Sequence, residues 1–242
     1  MMMDLLLSIL QPLINLDTRL FLAINGMHNT YWDAFMVMYS GKWIWLPLYI
    51  GFAIAMFKNF PWRATLACLI VIALLTTIND QLAGSYIRAI FARLRPSNPL
   101  NPISPLVHIV DGHRGGRYGF PSAHAANCWG LAFFVMFVFR RHLLSLTMGL
   151  WVLMMCYSRM YLGVHYPGDV LVGTLVGLFN ASITYWVFLK TSRRFAIAFR
   201  PRPRAELHMY VPVIVCWSEV ALMLILAGDI LEYINKQGVF TV

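Results

Sequence analysis

Charged side chains are what this chain has least of. Asp, Glu, Lys and Arg make up 12% of its 242 residues, and the acidic ones number only 10. A soluble domain carries about 25% charged residues, so a water-soluble globular protein is excluded on composition before any motif is read. The few carboxylates are also dispersed. Asp80, Asp111 and Asp169 stand apart and no Asp-x-Asp pairing occurs, so the pattern that seats magnesium beside a phosphate is missing. Cys68, Cys128, Cys156 and Cys216 sit singly in apolar runs without Cys-x-x-Cys spacing. That excludes a disulfide framework, and the thiols read as small buried hydrophobes. Met1 to Leu10 has neither a basic stretch nor a small-x-small cleavage site, so no cleavable signal peptide is expected. No internal repeat or low-complexity tract divides residues 1–242, which read as a single membrane domain.

What is present is mostly apolar: 60% hydrophobic residues and a mean hydropathy of +0.66. A hydrocarbon core about 30 Å thick needs about 20 apolar residues per helix. Segments near 35–57, 62–90, 122–139, 143–160, 167–190 and 209–228 meet that need, the third and fourth at the short end. The expected fold class is all-α, a polytopic bundle of about six transmembrane helices across 35–228. Ahead of it, residues 4–27 set Leu5, Ile9, Leu13 and Leu16 at helical spacing among Gln11, Asn15, Asp17, Arg19 and Asn25. That pattern predicts an amphipathic helix lying in the membrane interface.

The net charge is +9, and the basic residues divide into two groups. Lys58, Arg63, Arg140, Arg141, Lys190, Arg193, Arg194, Arg200, Arg202 and Arg204 fall in breaks at 58–63, 140–142 and 190–208. The positive-inside rule puts those breaks in the cytoplasm, and the breaks at 91–121, 161–167 and the C-terminal tail on the outer side. Arg88, Arg93, Arg95, Arg114, Arg117 and Arg159 gather instead around the outer breaks and read as an anion site. No basic stripe interleaves with exposed aromatics, so nucleic acid is not an expected partner.

Three polar clusters mark ends of the apolar segments. Ser158, Arg159, His165 and Asp169 form the most informative one. Pro167 suits a helix's first turn, and Asp169 then projects back toward His165. A carboxylate there fixes one ring nitrogen as N–H and leaves the other free to attack phosphorus. Ser122 and His124 open another helix, whose first N–H groups favour an anion. Ser122 serves as cap or phosphate donor, and His124 is placed to protonate a leaving oxygen. Arg88 and Arg95 are seven residues apart, nearly two helical turns, and so are expected on one helix face. Their forked donors suit phosphate oxygens better than a lysine point charge. Between these clusters the loop 97–121, rich in Pro and Gly, carries His108, His113, Arg114 and Arg117 and is expected to roof the site and select substrate. Asp80, inside a span beside Asn79 and Gln81, either pairs with Arg88 or another basic residue and braces the site, or belongs to a helix–helix hydrogen-bond cluster.

In order and spacing these clusters resemble the three motifs of the type 2 phosphatidic-acid phosphatase superfamily: (Lys/Arg)-x6-Arg-Pro, Pro-Ser-Gly-His and Ser-Arg-x5-His-x3-Asp. Arg88, Arg95 and Pro96 match the first, Pro121, Ser122 and His124 the second, and Ser158, Arg159, His165 and Asp169 the third. The resemblance spans about 80–185, with Ala123 where the motif has glycine. It implies a membrane lipid phosphatase that needs no metal or other cofactor. His165 would form a phosphohistidine with Asp169 orienting it. Arg88, Arg95, Arg159 and Ser122 would hold the phosphate oxygens, and His124 would act as general acid. The implied partners are the bilayer and a lipid phosphate: polyprenyl diphosphate, a lipid A-type headgroup, phosphatidylglycerol phosphate or phosphatidate. The implied location is a cell inner membrane with the site facing outward. A lipid-to-lipid phosphotransferase and a non-catalytic phospholipid-binding transporter are the alternatives.

Overall fold

The computed structural model describes residues 2–194 and 207–236. Arg200, Arg202 and Arg204, counted above with the cytoplasmic breaks, lie outside the described residues. The helices are α1 (Met2–Asn25), α2 (Thr30–Tyr39), α3 (Leu46–Asn59), α4 (Trp62–Asn79), α5 (Ile87–Phe91), α6 (Ala123–Phe139), α7 (His142–Tyr161), α8 (Pro167–Arg194) and α9 (Val211–Lys236). A π-helical stretch, Asp80–Tyr86, joins α4 to α5. Among the described residues, four helices are long and apolar enough to cross a membrane: Trp62–Phe91, His142–Tyr161, Pro167–Arg194 and Val211–Ile230. Leu46–Asn59 and Ala123–Phe139 are shorter apolar helices beside them. Leu153, Leu171, Leu175, Phe179 and Ile225 point outward, so the bundle is apolar outside as well as inside. This is the polytopic helical bundle that the composition requires.

The expected single span over 35–57 is broken in two. Helix α2 stops at Tyr39 and α3 starts at Leu46, with Pro47 in its first turn. The turn is locked by Trp45, which is fully buried and donates its indole N–H to the Tyr39 carbonyl at 2.8 Å. The polar Ser40-Gly41-Lys42 stretch therefore sits beside the site described below instead of inside an apolar helix.

Helices α6 and α8 form the centre of the bundle and fix the site's geometry. A Cβ at Gly173 would lie 2.4 Å from the Ser122 carbonyl oxygen, and one at Gly177 would lie 2.5 Å from that of Ala126. This small-x3-small stripe brings two backbones into contact, as membrane helix pairs commonly do. Deeper in, Asn180 donates to Asn79 at 2.7 Å and Asn79 donates to the Ala126 carbonyl at 2.9 Å. That buried amide chain ties α4, α6 and α8 together.

Helix α1 crosses the ends of α7 and α8. Asp17 accepts from the Gly168 N–H at the start of α8, whereas Asn25 donates to the Tyr161 carbonyl at the end of α7. Phe21, between them, is buried against Tyr166, while Leu13, Leu16 and Leu20 face out.

Candidate active site

Four helix ends meet on one side: the end of α5, the start of α6, the end of α7 and the start of α8. Arg88 lies on α5 and donates to the Pro121 carbonyl at 3.2 Å. The helix stops three residues later, where Ala92 takes left-handed geometry (φ +45°). Arg88 and Arg95 therefore do not share a helix face, contrary to the expectation from their spacing. Pro96 disfavours helix at Arg95, and Leu94 instead forms an isolated bridge with Tyr118. Arg95 is nonetheless well fixed. Its Nε donates to the Tyr118 carbonyl and its Nη1 to the Val164 carbonyl, each at 3.1 Å.

The α7–α8 turn carries the histidine and its carboxylate, both almost fully buried. Asp169 Oδ2 lies 3.4 Å from His165 Nδ1 and accepts the Tyr166 N–H at 3.0 Å. Arg95 Nη1 lies 3.1 Å from His165 Nε2. A guanidinium has only donors, so Nε2 carries the lone pair and Nδ1 carries the proton. That tautomer is the one a nucleophilic Nε2 needs. Gly119 closes over the ring: a Cβ there would stand 3.0 Å from Asp169 Oδ2 and 3.1 Å from Arg95 Cγ. No side chain fits between these groups.

Ser122 is fully buried at the start of α6, and its hydroxyl accepts the Ala125 N–H at 3.3 Å. Its own N–H bonds the Asp169 carbonyl at 2.9 Å, joining the starts of α6 and α8. Ala123 is the first residue of α6, in ordinary helical geometry. The missing glycine thus costs no backbone freedom here.

Arg88, Arg95, Arg159, His124 and His165 all line one cavity of about 820 Å³. Arg159, on the last turn of α7, donates to Ser40 Oγ. The Nε groups of Arg88 and Arg159 are buried without a hydrogen-bond partner among the described residues. Such orphan donors are expensive, and two of them in one cationic cavity fit an anion with several oxygens. Electrostatics agree. Burial, then the nearby Arg88 and Arg159 charges, brings Arg95 down to about 10. Burial first, then Arg95, Arg159 and Arg88, pushes His165 well below the ordinary imidazole range. The imidazole stays neutral and the guanidiniums repel one another until a phosphate arrives.

Of the four loop residues, only His113 lines this cavity. His108 pairs with Asp33 at 3.0 Å in a separate pocket. Arg114 donates to the Ser97 carbonyl and to Ser104 Oγ, bracing the loop from within. Arg117 lies over the Tyr118 ring. Asp80 accepts from Asn127 at 2.7 Å, not from Arg88. Lys42 and Ser40, absent from the sequence-based set, reach the cavity because α2 and α3 are separate. The signal was available in Ser40-Gly41-Lys42, three residues poorly suited to the middle of a span. An apolar chamber of about 300 Å³, walled by Phe52, Met56, Ile72, Leu131 and Trp151, shares Tyr49, Thr76, Asn127 and Cys128 with the polar cavity.

Comparison with known proteins gives this arrangement a family. Residues 64–193, more than half of the chain, match the PAP2 superfamily model. Over 180 residues the chain is 45% identical to the lipid A 4′-phosphatase of Bacteroides thetaiotaomicron, covering 74% of this chain and 80% of that protein. It is 34% identical over 192 residues to the lipid A 4′-phosphatase of Porphyromonas gingivalis, covering 79% and 81%. Its fold is shared by the crystal structure of Aquifex aeolicus LpxE, at TM-score 0.52 and 24% identity over 70% of this chain and 94% of that one. It is shared also by a PAP2-type phosphatidylglycerolphosphate phosphatase of Bacillus subtilis, at TM-score 0.54 and 22% identity over 74% and 87%. The chain belongs to the PAP2 superfamily and is a membrane lipid phosphatase.

Proposed function

We propose that this protein removes a phosphate monoester from the sugar headgroup of a lipid A-type glycolipid, at the outer leaflet of an inner membrane, through a phosphohistidine. The single observation that carries the chemistry is the orientation of His165, with Nδ1 on Asp169 and Nε2 turned to the arginine-lined cavity. The choice of lipid is supported by the two lipid A 4′-phosphatases among its relatives. A cavity of about 820 Å³ also leaves room for a headgroup beyond the phosphate itself. The adjoining apolar chamber offers a seat for an acyl chain. The outward orientation rests on the basic breaks at 58–63 and 140–142, which lie at the opposite helix ends from the site.

In the first step Arg95 Nη1 passes from the Nε2 lone pair of His165 to a phosphate oxygen, the released lone pair forms a bond to phosphorus, and the bond from phosphorus to the lipid oxygen breaks. His124, protonated once the phosphate dianion is bound, gives that oxygen its proton. Arg88, Arg95 and Arg159 neutralise charge on the three equatorial oxygens, where most of the catalytic effect in phosphoryl transfer arises. Ser122 holds the α6 N-terminus in register as its cap. In the second step water attacks phosphorus, His124 accepts its proton, and the phosphorus–nitrogen bond breaks to return neutral His165 and inorganic phosphate. Asp169 stabilises the positive charge on the ring throughout, as the aspartate of a serine-protease triad does.

The test is phosphate release in detergent with EDTA, from lipid A, phosphatidylglycerol phosphate and polyprenyl diphosphate in parallel. Lipid A should give the highest kcat/KM. Equal or better turnover of either other lipid would reject the headgroup assignment, and trapping of labelled phosphate on a residue other than His165 would reject the intermediate.

A further inference from the structure

Arg93 stands two residues before Arg95 but does not line the cavity. It turns away, to the far side of the catalytic carboxylate. Its Nη1 donates to Asp169 Oδ1 at 3.0 Å, the oxygen that His165 does not face, and its Nη2 donates to Asp17 Oδ2 at 2.7 Å. The guanidinium also lies 3.9 Å from the centre of the Tyr166 ring. Asp17, on α1, uses its other oxygen to accept the Gly168 N–H at 2.7 Å. It therefore holds the catalytic turn twice, once through Arg93 and once through the backbone next to Asp169. The side chains of Asp17, Arg93 and Asp169 are only 14%, 26% and 0% exposed, so these contacts act with little screening by water.

We propose that Arg93 and Asp17 are positioning residues for the phosphatase reaction, which makes α1 a working part of the active site. The His165–Asp169 contact, at 3.4 Å, is too long to fix the carboxylate by itself. Oδ2 is held by the Tyr166 N–H and Oδ1 by Arg93. Without Arg93, a fully buried carboxylate loses its nearest cation, and one of its two oxygens becomes free to turn. Without Asp17, Arg93 has one anchor fewer and is free to leave Asp169 for the solvent that it already partly contacts. Leu13, Leu16 and Leu20 on the outer face of α1 are exposed apolar side chains. Seating that face in lipid would hold Asp17 over the turn and so connect bilayer contact to the orientation of His165.

This inference rests on the phosphatase reading but on no particular lipid. The test uses the full chain in detergent and whichever lipid phosphate the unmodified protein hydrolyses best. Arg93→Gln should lower kcat about 100-fold and Asp17→Asn about tenfold, with KM within about threefold for both; partners of this kind that orient a reacting group typically matter by 10–100-fold. Arg93→Lys, which keeps the charge but not the fork, should fall between Arg93→Gln and the unmodified protein. The double variant should be no slower than Arg93→Gln alone, because the two residues act in series. Arg19→Gln, on an exposed position of α1, should leave the rate unchanged. A kcat for Arg93→Gln within twofold of normal would overturn the proposal, as would losses that multiply in the double variant. Should Arg93→Gln not fold, Asp17→Asn and Arg93→Lys with unchanged thermal midpoints carry the same comparison. An unmodified protein that released phosphate from none of the lipids would instead fail the phosphatase reading, which separates the two.

Discussion

Among the described residues, two histidine–carboxylate pairs sit near the helix ends, and the tighter one is outside the arginine-lined cavity. His108 Nε2 lies 3.0 Å from Asp33, against 3.4 Å for His165 Nδ1 and Asp169. Distance alone would choose the wrong pair. What differs is burial and the fate of the second ring nitrogen. The side chains of His165 and Asp169 are 2% and 0% exposed, those of His108 and Asp33 24% and 18%. His165 turns Nε2 to a cavity with three guanidiniums. The His108 ring stacks on His28 with centroids 3.6 Å apart, and no arginine among the described residues lines its pocket. A hydrogen-bonded dyad becomes a nucleophile only where its second nitrogen faces a place that will hold the phosphate's charge.

The largest expected effect separates the pairs outright. His165→Ala should lower phosphate release by about 10³-fold or more, since it removes the attacking atom itself. Asp169→Asn should come close, because the amide no longer fixes the Nδ1–H tautomer or stabilises the charged ring. Either variant retaining more than about a tenth of normal kcat would mean that the comparison picks the wrong histidine. Arg95→Lys comes next, at about 10²-fold. Arg95 holds two carbonyls and the His165 lone pair at once, a geometry that a single ammonium cannot reproduce. Near-normal kcat in Arg95→Lys would show that charge suffices and the fork does not matter.

A smaller, sharper test concerns proton affinity. His165 is pushed well below the ordinary imidazole range, first by burial and then by Arg95, Arg159 and Arg88. A lowered value means that the neutral ring persists as pH falls, so the nucleophile should remain available below the usual imidazole midpoint of about 6.5. In the substrate-free protein, the His165 ring resonance, assigned by its loss in His165→Gln, should still report a neutral imidazole at about pH 6. A midpoint at or above 6.5 would remove the electrostatic half of the contrast between the two pairs.

Much of this was legible in the sequence, and the gaps have physical causes. The motif residues His124, His165, Arg88, Arg95 and Arg159 converge as expected because each lies at or near the end of an apolar segment, and helix ends on one side must meet. The break at Ser40–Trp45 was signalled only weakly, by Ser40-Gly41-Lys42, because the apolar Tyr39 and Trp45 extend the hydrophobic run on either side; the indole-to-carbonyl bond that locks the turn is tertiary. Arg88 and Arg95 do not share a face because spacing implies a helix only while the helix continues, and it ends at Phe91. Arg93 looked like one more phosphate ligand. Its partner Asp17 is 76 residues away, and no local pattern announces a contact of that range. Gly119 was invisible for a similar reason, since its need for a bare Cα comes from Asp169 and Arg95 closing on it.

The smallest effect is expected at the other pair, and it defines what that pair is for. The backbone N–H of His108 donates to Asn25, whose amide donates back to the His108 carbonyl. Asp33 also accepts from the Tyr161 hydroxyl at 2.7 Å. This clasp ties the loop over the site to α1, α2 and the end of α7. It is not the loop's only anchor, because Ser97 bonds the Gly163 carbonyl and Arg114 bonds that of Ser97. His108→Ala should therefore change kcat by no more than about threefold. KM should move more than kcat, since His113 on the same loop lines the cavity, and the thermal midpoint should drop by about 4 °C as expected for a lost contact of about 1 kcal/mol. Asp33→Asn should reproduce both changes. A kcat loss in His108→Ala approaching that of His165→Ala would mean that the exposed pair takes part in the chemistry, and burial would no longer tell the two apart.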